Sequence, residues 1–399
     1  MPESATGTES TTLTLTTLDG VVLTIPCQPG MTVLKAAVAA GRRLPCLCWQ
    51  GACGVCWASH VSGAYDHDDF NAQAIGPMAG ERAVLLCRTR PRGDCSFDLP
   101  YEANRIVDSQ PPVRRATITE LHPVAHEVVR IAMRFCPDDV HGSAAEFDPG
   151  QFMQIEIPRP ADAGDPGPYP PSRAYSMANC GNWEGDLEFY VHVQDRGKFS
   201  SYVRDRARVG DVLTLHGPQG GFGLRERGLR PRWFVAGGTG VAPLLSMIRR
   251  MAEWGDPQPV RVYAGFTTTA HVFAAEALAE LAATMPDFAA TLCIWRPGTT
   301  PSGTTPPGTT PPGSVPGPPQ GSPPGLLRGS TMAELAEETG LSVVAGTPAE
   351  VLARDLEGIE ETPDFYLCGP PPMVQSVEVA LAEAGIQPDH VEAERFTES

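Results

Sequence analysis

Apolar and polar residues alternate through "TLTLTTLDGVVLTIPC" (12–27). A period of two is the mark of a strand with one buried face. The alternation is interrupted by Asp19-Gly20, a two-residue hairpin signal, so two paired strands are expected. "TVLKAAVAAG" (32–41) follows, with Thr32 placed to cap a short helix and Gly41 to stop it. After a cysteine-rich loop, "AVLLCRTRP" (83–91) reads as one further strand. The first hundred residues thus predict a small α+β unit of sheet, helix and long loop.

The pattern changes near residue 112. "RATITELHPV", "EVVRIAMRF", "QFMQIEIP", "LEFYVHVQ" and "DVLTLHGP" are short β-like runs with Pro/Gly turns between them. That spacing predicts an antiparallel barrel. The last third alternates strand with helix: "RWFVAGG" then "VAPLLSMIRRMAEWG", "VRVYAGF" then "FAAEALAELAATM", "ATLCIW", and "DFYLCG" then "MVQSVEVALAEAG". This rhythm predicts a parallel sheet flanked by helices. The expected division is 1–108, 112–226 and 230–399. Residues 297–325 interrupt the third unit with 11 prolines and no charge. Such a composition buries no core and predicts a disordered surface insertion.

Length and charge narrow the class. A chain of 399 residues holds two or three cores. The net charge of −17 argues against nucleic-acid binding. Residues 229–399 carry 20 acidic and 9 basic side chains, so most of the excess lies there, away from the cysteines. Asp66, Asp68 and Asp69 in "AYDHDDF" cluster locally and read as a solvated loop. No run of about 18 apolar residues suggests a membrane span, and no export signal is evident. A cytoplasmic location is therefore expected, where clustered cysteines bind metal more often than they form disulfides.

"LPCLCWQGACGVC" (44–56) supplies the chemistry. Cys48, Cys53 and Cys56 follow the C-x4-C-x2-C spacing of a plant-type [2Fe–2S] site, and Cys87 stands where a distant fourth ligand is needed. Zinc knuckles come in pairs, and no second one follows. Gly51, Ala52 and Gly54 let backbone N–H groups approach the sulfurs. Cys46 has no place in the spacing. It reads as a small buried hydrophobe, as do Cys27, Cys95, Cys136, Cys180 and Cys293.

"RAYSMAN" (173–179), "GKFSSYV" (197–203) and "GPQGGFGL" (217–224) occur in the order that resembles ferredoxin–NADP reductase-type flavoproteins. The resemblance implies an FAD-binding β-barrel. Arg173 would meet the diphosphate, Tyr175 would pack on the flavin ring, and Ser176 would lie near its reactive nitrogen. Gly197, Ser200 and Ser201 would let a helix N-terminus hold phosphate. "VAGGTGVAP" (235–243), with Gly237, Gly238, Thr239 and Gly240, resembles the family's pyridine-nucleotide loop. "CGPPPM" (368–373) resembles its second, with Cys368, Gly369 and Pro370 beside the nicotinamide. "FTTTAHV" offers no Lys or Arg for a 2′-phosphate, which favours NADH. Phe396, in the terminal "ERFTES", would cover the flavin. Ser176, Cys368 and Phe396 are thus the expected catalytic residues.

A plant-type ferredoxin domain of β-grasp-like fold, then flavin, then nucleotide is the layout of oxygenase reductases. The chain is similar to the reductases of soluble methane monooxygenase and related alkane, alkene and aromatic monooxygenases, most of all across "GGFGLRERGLRPRWFVAGGTGVAPLLSMIRRMAEW". The resemblance implies electron flow from NADH through FAD and [2Fe–2S] to the hydroxylase component of an oxygenase. The reductase of a ring-hydroxylating dioxygenase shares the layout and is the alternative.

Overall fold

A computed structural model describes residues 11–46, 49, 51, 54–70, 74–75, 80–107, 111–158, 172–195, 197–225, 229–297 and 331–396. In chain order the first elements are β1 (Thr11–Thr16), β2 (Val22–Cys27), α1 (Val33–Ala39), β3 (Trp57–Ser62), β4 (Tyr65–His67), β5 (Ala83–Leu85), β6 (Thr89–Pro91) and β7 (Cys95–Asp98). β1 and β2 form the expected hairpin, with Thr16 opposite Val22. Leu13, Leu15 and Ile25 point inward from alternate positions and are fully buried. Each such side chain contributes about 1.5–3 kcal/mol. Thr32 caps α1 by accepting from the Lys35 N–H, and the order of the sheet is β2-β1-β7-β3-β5.

The single strand expected over 83–91 is broken into β5 and β6. The Arg88 N–H and the Thr89 hydroxyl both return to the Leu85 carbonyl, at 2.8 and 2.9 Å, and close a turn. Inside that turn the Leu86 N–H donates to the Cys56 carbonyl, and the Leu86 carbonyl accepts from Leu34. The interruption carries Cys87 off the strand and against the cysteine loop. The "AYDHDDF" segment is also more ordered than a solvated loop. β4 pairs with β6, Asp66 with Arg92, and Asp68 with Arg90.

The second sheet holds β8 (Val113–Ala125), β9 (Val128–Phe135), β10 (Phe152–Glu156), β11 (Ser172–Ser176), β12 (Asp186–His192) and β13 (Val212–Gln219), with α2 (Lys198–Asp205) between the last two. Its order is β11-β10-β13-β8-β9-β12, antiparallel throughout. The outermost strands, β11 and β12, come back into contact and close the barrel.

The third sheet is wholly parallel. Its elements are β14 (Arg232–Gly237), α3 (Val241–Trp254), β15 (Val260–Phe266), α4 (Ala275–Thr284), β16 (Phe288–Ile294), α5 (Met332–Thr339), β17 (Ser342–Ala345), α6 (Pro348–Asp355), β18 (Asp364–Gly369), α7 (Pro371–Glu383) and β19 (Val391–Arg395). The order β17-β16-β15-β14-β18-β19 puts a topological switch point between β14 and β18. α5, β17, α6 and β19 go beyond the sequence expectation. The capping boxes Thr331/Glu334 and Thr347/Glu350 that start α5 and α6 are legible as T-x-x-E in the chain. The proline-rich run lies between β16 and α5, and from residue 298 onward it is outside the described residues. Among the described residues no helix is long and apolar enough to cross a membrane.

Helix α3 locks this sheet to the barrel. The Ser246 hydroxyl donates to the Asn179 carbonyl at 2.6 Å, and Arg249 donates to both the Ala178 carbonyl and the Glu188 carboxylate at 2.8 Å. Arg130 holds the other oxygen of Glu188 at 2.9 Å. Burial works to raise the Glu188 carboxyl, but Arg249 and Arg130 outweigh it and hold it below its ordinary value. A second junction forms at Glu392, which accepts from Arg225 at 2.9 Å and from Arg105 at 3.4 Å.

Arg249→Ala is expected to destabilise the protein by roughly 1.5–3 kcal/mol, the worth of hydrogen bonds to a charged group. Thermal unfolding reads this directly. Because the folded-state pKa of Glu188 is depressed, its contribution is complete above the unfolded value of about 4.3 and is lost as pH falls through the folded value. The stability difference between wild type and variant should therefore narrow in acid. A difference unchanged down to pH 3 would assign the effect to packing alone.

Candidate functional site

The cysteine loop turns repeatedly through left-handed backbone. Gly51 and Gly54 have φ of 74° and 78°, and Trp49 has φ of 59°. A Cβ on Gly54 would stand 1.9 Å from the Ala74 carbonyl oxygen, and one on Gly51 would stand 2.7 Å from Arg88 and Phe70 side-chain carbons. The loop is thereby wrapped tightly against Phe70, Ala74 and the turn that carries Cys87.

Cys56 and Cys87 are both buried, and the Cys56 sulfur is in hydrogen-bond contact with those of Cys87 and Cys46. No disulfide joins them. Cys48 and Cys53 lie outside the described residues. Cys46 departs from the expectation of a buried bystander, since it is half-buried and its thiol contacts Cys56. Cys136 is likewise half-buried, whereas Cys27, Cys95, Cys180 and Cys293 are buried as expected.

A further residue belongs here. Among the described residues the buried Tyr101 hydroxyl has no hydrogen-bond partner. Burial, then nearby Cys56 and Cys46, push its pKa up. A donor kept neutral and unpaired beside buried thiols fits a site that holds sulfur-rich anionic metal chemistry. No local spacing announces Tyr101, which is brought in by the chain after β7.

On the barrel, Arg173 and Tyr175 share one face of β11, and Ser176 faces the other way and is buried. The Tyr175 ring lies 5.0 Å from that of Phe199, in the first turn of α2. This joins the two flavin-like motifs in space. Gly197 is the N-cap of α2, Ser200 is buried and donates to the His192 carbonyl at 3.4 Å, and Ser201 is half-buried. No side-chain hydrogen bond caps α2 or α3, nor α4 or α7, whereas α1, α5 and α6 are capped. The open N–H groups of α2 and α3 fit phosphate oxygens.

At the switch point two loops meet backbone to backbone. Gly237 ends β14, and Gly238, Thr239 and Gly240 form a turn into α3. A Cβ on Gly240 would stand 2.1 Å from the Cys368 carbonyl oxygen, and one on Gly369 would stand 2.6 Å from the Met373 methyl and 2.9 Å from the Gly237 nitrogen. Pro370 caps α7. The resulting crevice at the carboxyl ends of parallel strands is the usual place for a nucleotide.

β19 completes the crevice and brings in a residue that sequence reasoning missed. Glu394 sits opposite Cys368 in register, and the Phe396 N–H donates to the Gly369 carbonyl at 2.8 Å. The Glu394 carboxyl is fully buried, its Oε2 has no partner, and burial pushes its pKa up to about 8. It therefore carries its proton through neutral pH. Cys368 is buried beside it, its thiol pushed up first by burial and then by Glu394. Phe396 packs on the same apolar cluster as Cys368, Tyr366 and Phe222. The period-two spacing of Glu394 and Phe396 signals their shared face, once the segment is known to be a strand.

Comparison with known proteins identifies the three domains that carry these residues. Residues 16–92 match the 2Fe-2S iron-sulfur cluster binding domain, 118–223 the oxidoreductase FAD-binding domain, and 234–305 the oxidoreductase NAD-binding domain. The chain is 36% identical over 257 residues to methane monooxygenase component C of Methylosinus trichosporium, covering 64% of this chain and 72% of that protein. It is 28% identical to the propane 2-monooxygenase reductase component of Rhodococcus jostii, over 92% of this chain and 86% of the relative. It is also 28% identical to the toluate 1,2-dioxygenase electron transfer component of Pseudomonas putida, over 96% and 97%. Among solved structures, an Amycolatopsis cytochrome P450 reductase superposes with a TM-score of 0.63 at 22% identity, covering 97% of this chain and 99% of its own. The fold is thus that of a ferredoxin domain followed by FAD- and NAD-binding domains. With cysteine loop, barrel and parallel-sheet crevice in one polypeptide, the chain belongs to the family of iron–sulfur flavoprotein reductase components of multicomponent oxygenases.

Proposed function

We propose that the protein is the NADH-driven reductase of a hydrocarbon monooxygenase, delivering electrons one at a time to the hydroxylase component. The observation that carries this reading is the crevice formed by Cys368, Glu394 and Phe396 with the Gly237–Gly240 loop, in the same chain as a buried cysteine site. When bound, FAD takes the two electrons of NADH together and releases them singly, and a [2Fe–2S] cluster carries one at a time. The higher identity to the methane monooxygenase component favours a monooxygenase partner. The full-length match to the toluate dioxygenase component supports a ring-hydroxylating dioxygenase as the second reading. A cytoplasmic setting fits NADH as the electron donor.

The residues divide the work. Arg173 would hold the FAD diphosphate together with the open N-terminus of α2, while Tyr175 packs on the ring and Ser176 orients it. Gly237, Gly238, Thr239 and Gly240 would admit the NADH diphosphate to the N-terminus of α3. Cys368, Gly369 and Pro370 would bound the nicotinamide, and Phe396 would shield the flavin face until it enters. Glu394 holds a proton at its carboxyl in an otherwise apolar pocket, so the crevice carries no fixed negative charge against NADH. Cys48, Cys53, Cys56 and Cys87 would ligate the cluster, with Tyr101 a donor toward it. The domain limits proposed are 1–108, 112–226 and 230–399.

Purified protein should show flavin absorbance plus two irons and two sulfides per chain. It should also reduce cytochrome c with NADH. A flavoprotein that reduces cytochrome c without iron or sulfide would remove the cluster from the proposal.

Serine replacements sort the thiols. Cys48→Ser, Cys53→Ser, Cys56→Ser and Cys87→Ser should each lose the iron–sulfur spectrum while NADH still bleaches the flavin. Cys46→Ser should keep both. Loss of the cluster in Cys46→Ser, with retention in Cys48→Ser, would exchange those two in the ligand set.

Arg173→Ala removes the guanidinium proposed for the diphosphate. FAD retention on gel filtration should fall at least tenfold, the effect of about 1.4 kcal/mol. Full flavin stoichiometry in that variant would move the diphosphate elsewhere.

A further inference from the structure

We propose that His126, Glu127 and His271 form a binding site for a divalent first-row transition ion of the zinc type, bridging the barrel to the parallel sheet. His126 and Glu127 belong to none of the cysteine, flavin or nucleotide motifs, and His271 lies in the "FTTTAHV" segment that follows β15. His126 and Glu127 form the tight turn between β8 and β9, and His271 lies in the single helical turn 269–271 that follows β15. The His126 N–H donates to the Ala270 carbonyl at 2.9 Å and pins the two loops together. One donor atom from each of the three side chains lies within 4.8 Å of the other two.

The surroundings suit an ion. Glu127 has φ of 58°, and its carbonyl accepts from the Val193 N–H at 2.7 Å, so its backbone is fixed. Its carboxylate lies 3.7 Å from His126 Nε2 and 3.4 Å from His192 Nε2. Two imidazoles and one carboxylate make a donor set that zinc accepts at about 2.0–2.2 Å per bond, with the fourth position left to water. His192, at the end of β12, lies beside this group through Glu127.

His271 is already oriented. Its Nδ1 pairs with the Thr268 hydroxyl at 2.8 Å, which leaves Nε2 for the ion. An outer hydrogen bond of this kind fixes the ring of a metal-binding histidine. Its pKa is lowered, first by burial and then by His126 and His192, with Glu127 working the other way. The edge-to-face contact of the His126 and His271 rings, with centroids 5.1 Å apart, places imidazoles from both lobes side by side. An ion here would hold the loop after β15 against the barrel.

The test uses untagged protein with flavin and cluster verified by absorbance, so that the cysteine site does not compete for the probe. Isothermal titration with Zn2+ should show one saturable site per chain at micromolar concentration. His126→Ala and His271→Asn should each weaken it about tenfold or more, and His122→Ala, an exposed histidine that pairs with Glu120, should leave it unchanged. Zn2+ should also raise the thermal midpoint of the wild type but not of His271→Asn. His271→Asn keeps a polar side chain for Thr268, and its flavin spectrum verifies folding. Absence of saturable uptake, or uptake equal in wild type and in both site variants, overturns the proposal. Uptake that leaves the wild-type thermal midpoint unmoved overturns the bridging role.

Discussion

The grip of Arg249 on Ala178 and Glu188 sets the distance between two sites that must work together. Helix α3 starts at the Gly237–Gly240 loop and, about two turns later, is fastened to the strand extension just past Ser176. A helix is stiff along its axis, so the crevice is held at fixed reach from β11 of the barrel. The charges that do this are partly buried and are affordable only as a group. Glu188 is shared by Arg130 and Arg249, and removing either leaves a carboxylate short of partners.

The crevice shows the opposite use of buried charge. Glu394 and Arg395 are neighbours on β19, and strand alternation sends them to opposite sides of the sheet. Arg395 pairs with Glu378 of α7, and that side is structural. Glu394 faces Cys368 with no cation, and burial keeps it protonated. Leaving a carboxyl unpaired costs stability that an apolar side chain would have spared. β19 therefore uses Arg395 to tie the sheet to α7 and keeps Glu394 neutral beside Cys368. The glycines explain how little room is left. Gly240 and Gly369 bring β14 and β18 close enough that any side chain at either would displace backbone.

Local chemistry was legible and long-range pairing was not. The β1–β2 hairpin and the Thr32 cap depend on residues within a dozen positions, and periodicity or spacing exposes them, while the cysteine spacing announces the iron–sulfur domain and family resemblance the nucleotide domain. The break at Cys87 escaped because an apolar run cannot show that Thr89 turns back to Leu85. Glu394 and Tyr101 escaped because their neighbours come from distant segments, and the significance of each lies in a partner it does not have. Cys46 was set aside on spacing, yet folding brings it to Cys56. The histidines at 126 and 271 meet only when the barrel docks on the sheet.

The acid cluster near the cysteine loop has a different meaning in three dimensions. Asp66 and Asp68 face Arg92 and Arg90 across the β4–β6 ribbon, and Arg88 lies 4.0 Å from Asp68. Exposed pairs of this kind add little stability, on the order of 0–1 kcal/mol each. Their larger effect is to cancel the field that three clustered aspartates would project. The β4–β6 ribbon thus presents a nearly balanced surface, and most of the chain's excess negative charge lies in its last third. A partner that met the chain on this ribbon would find little long-range attraction there, and fit at short range would have to supply the specificity.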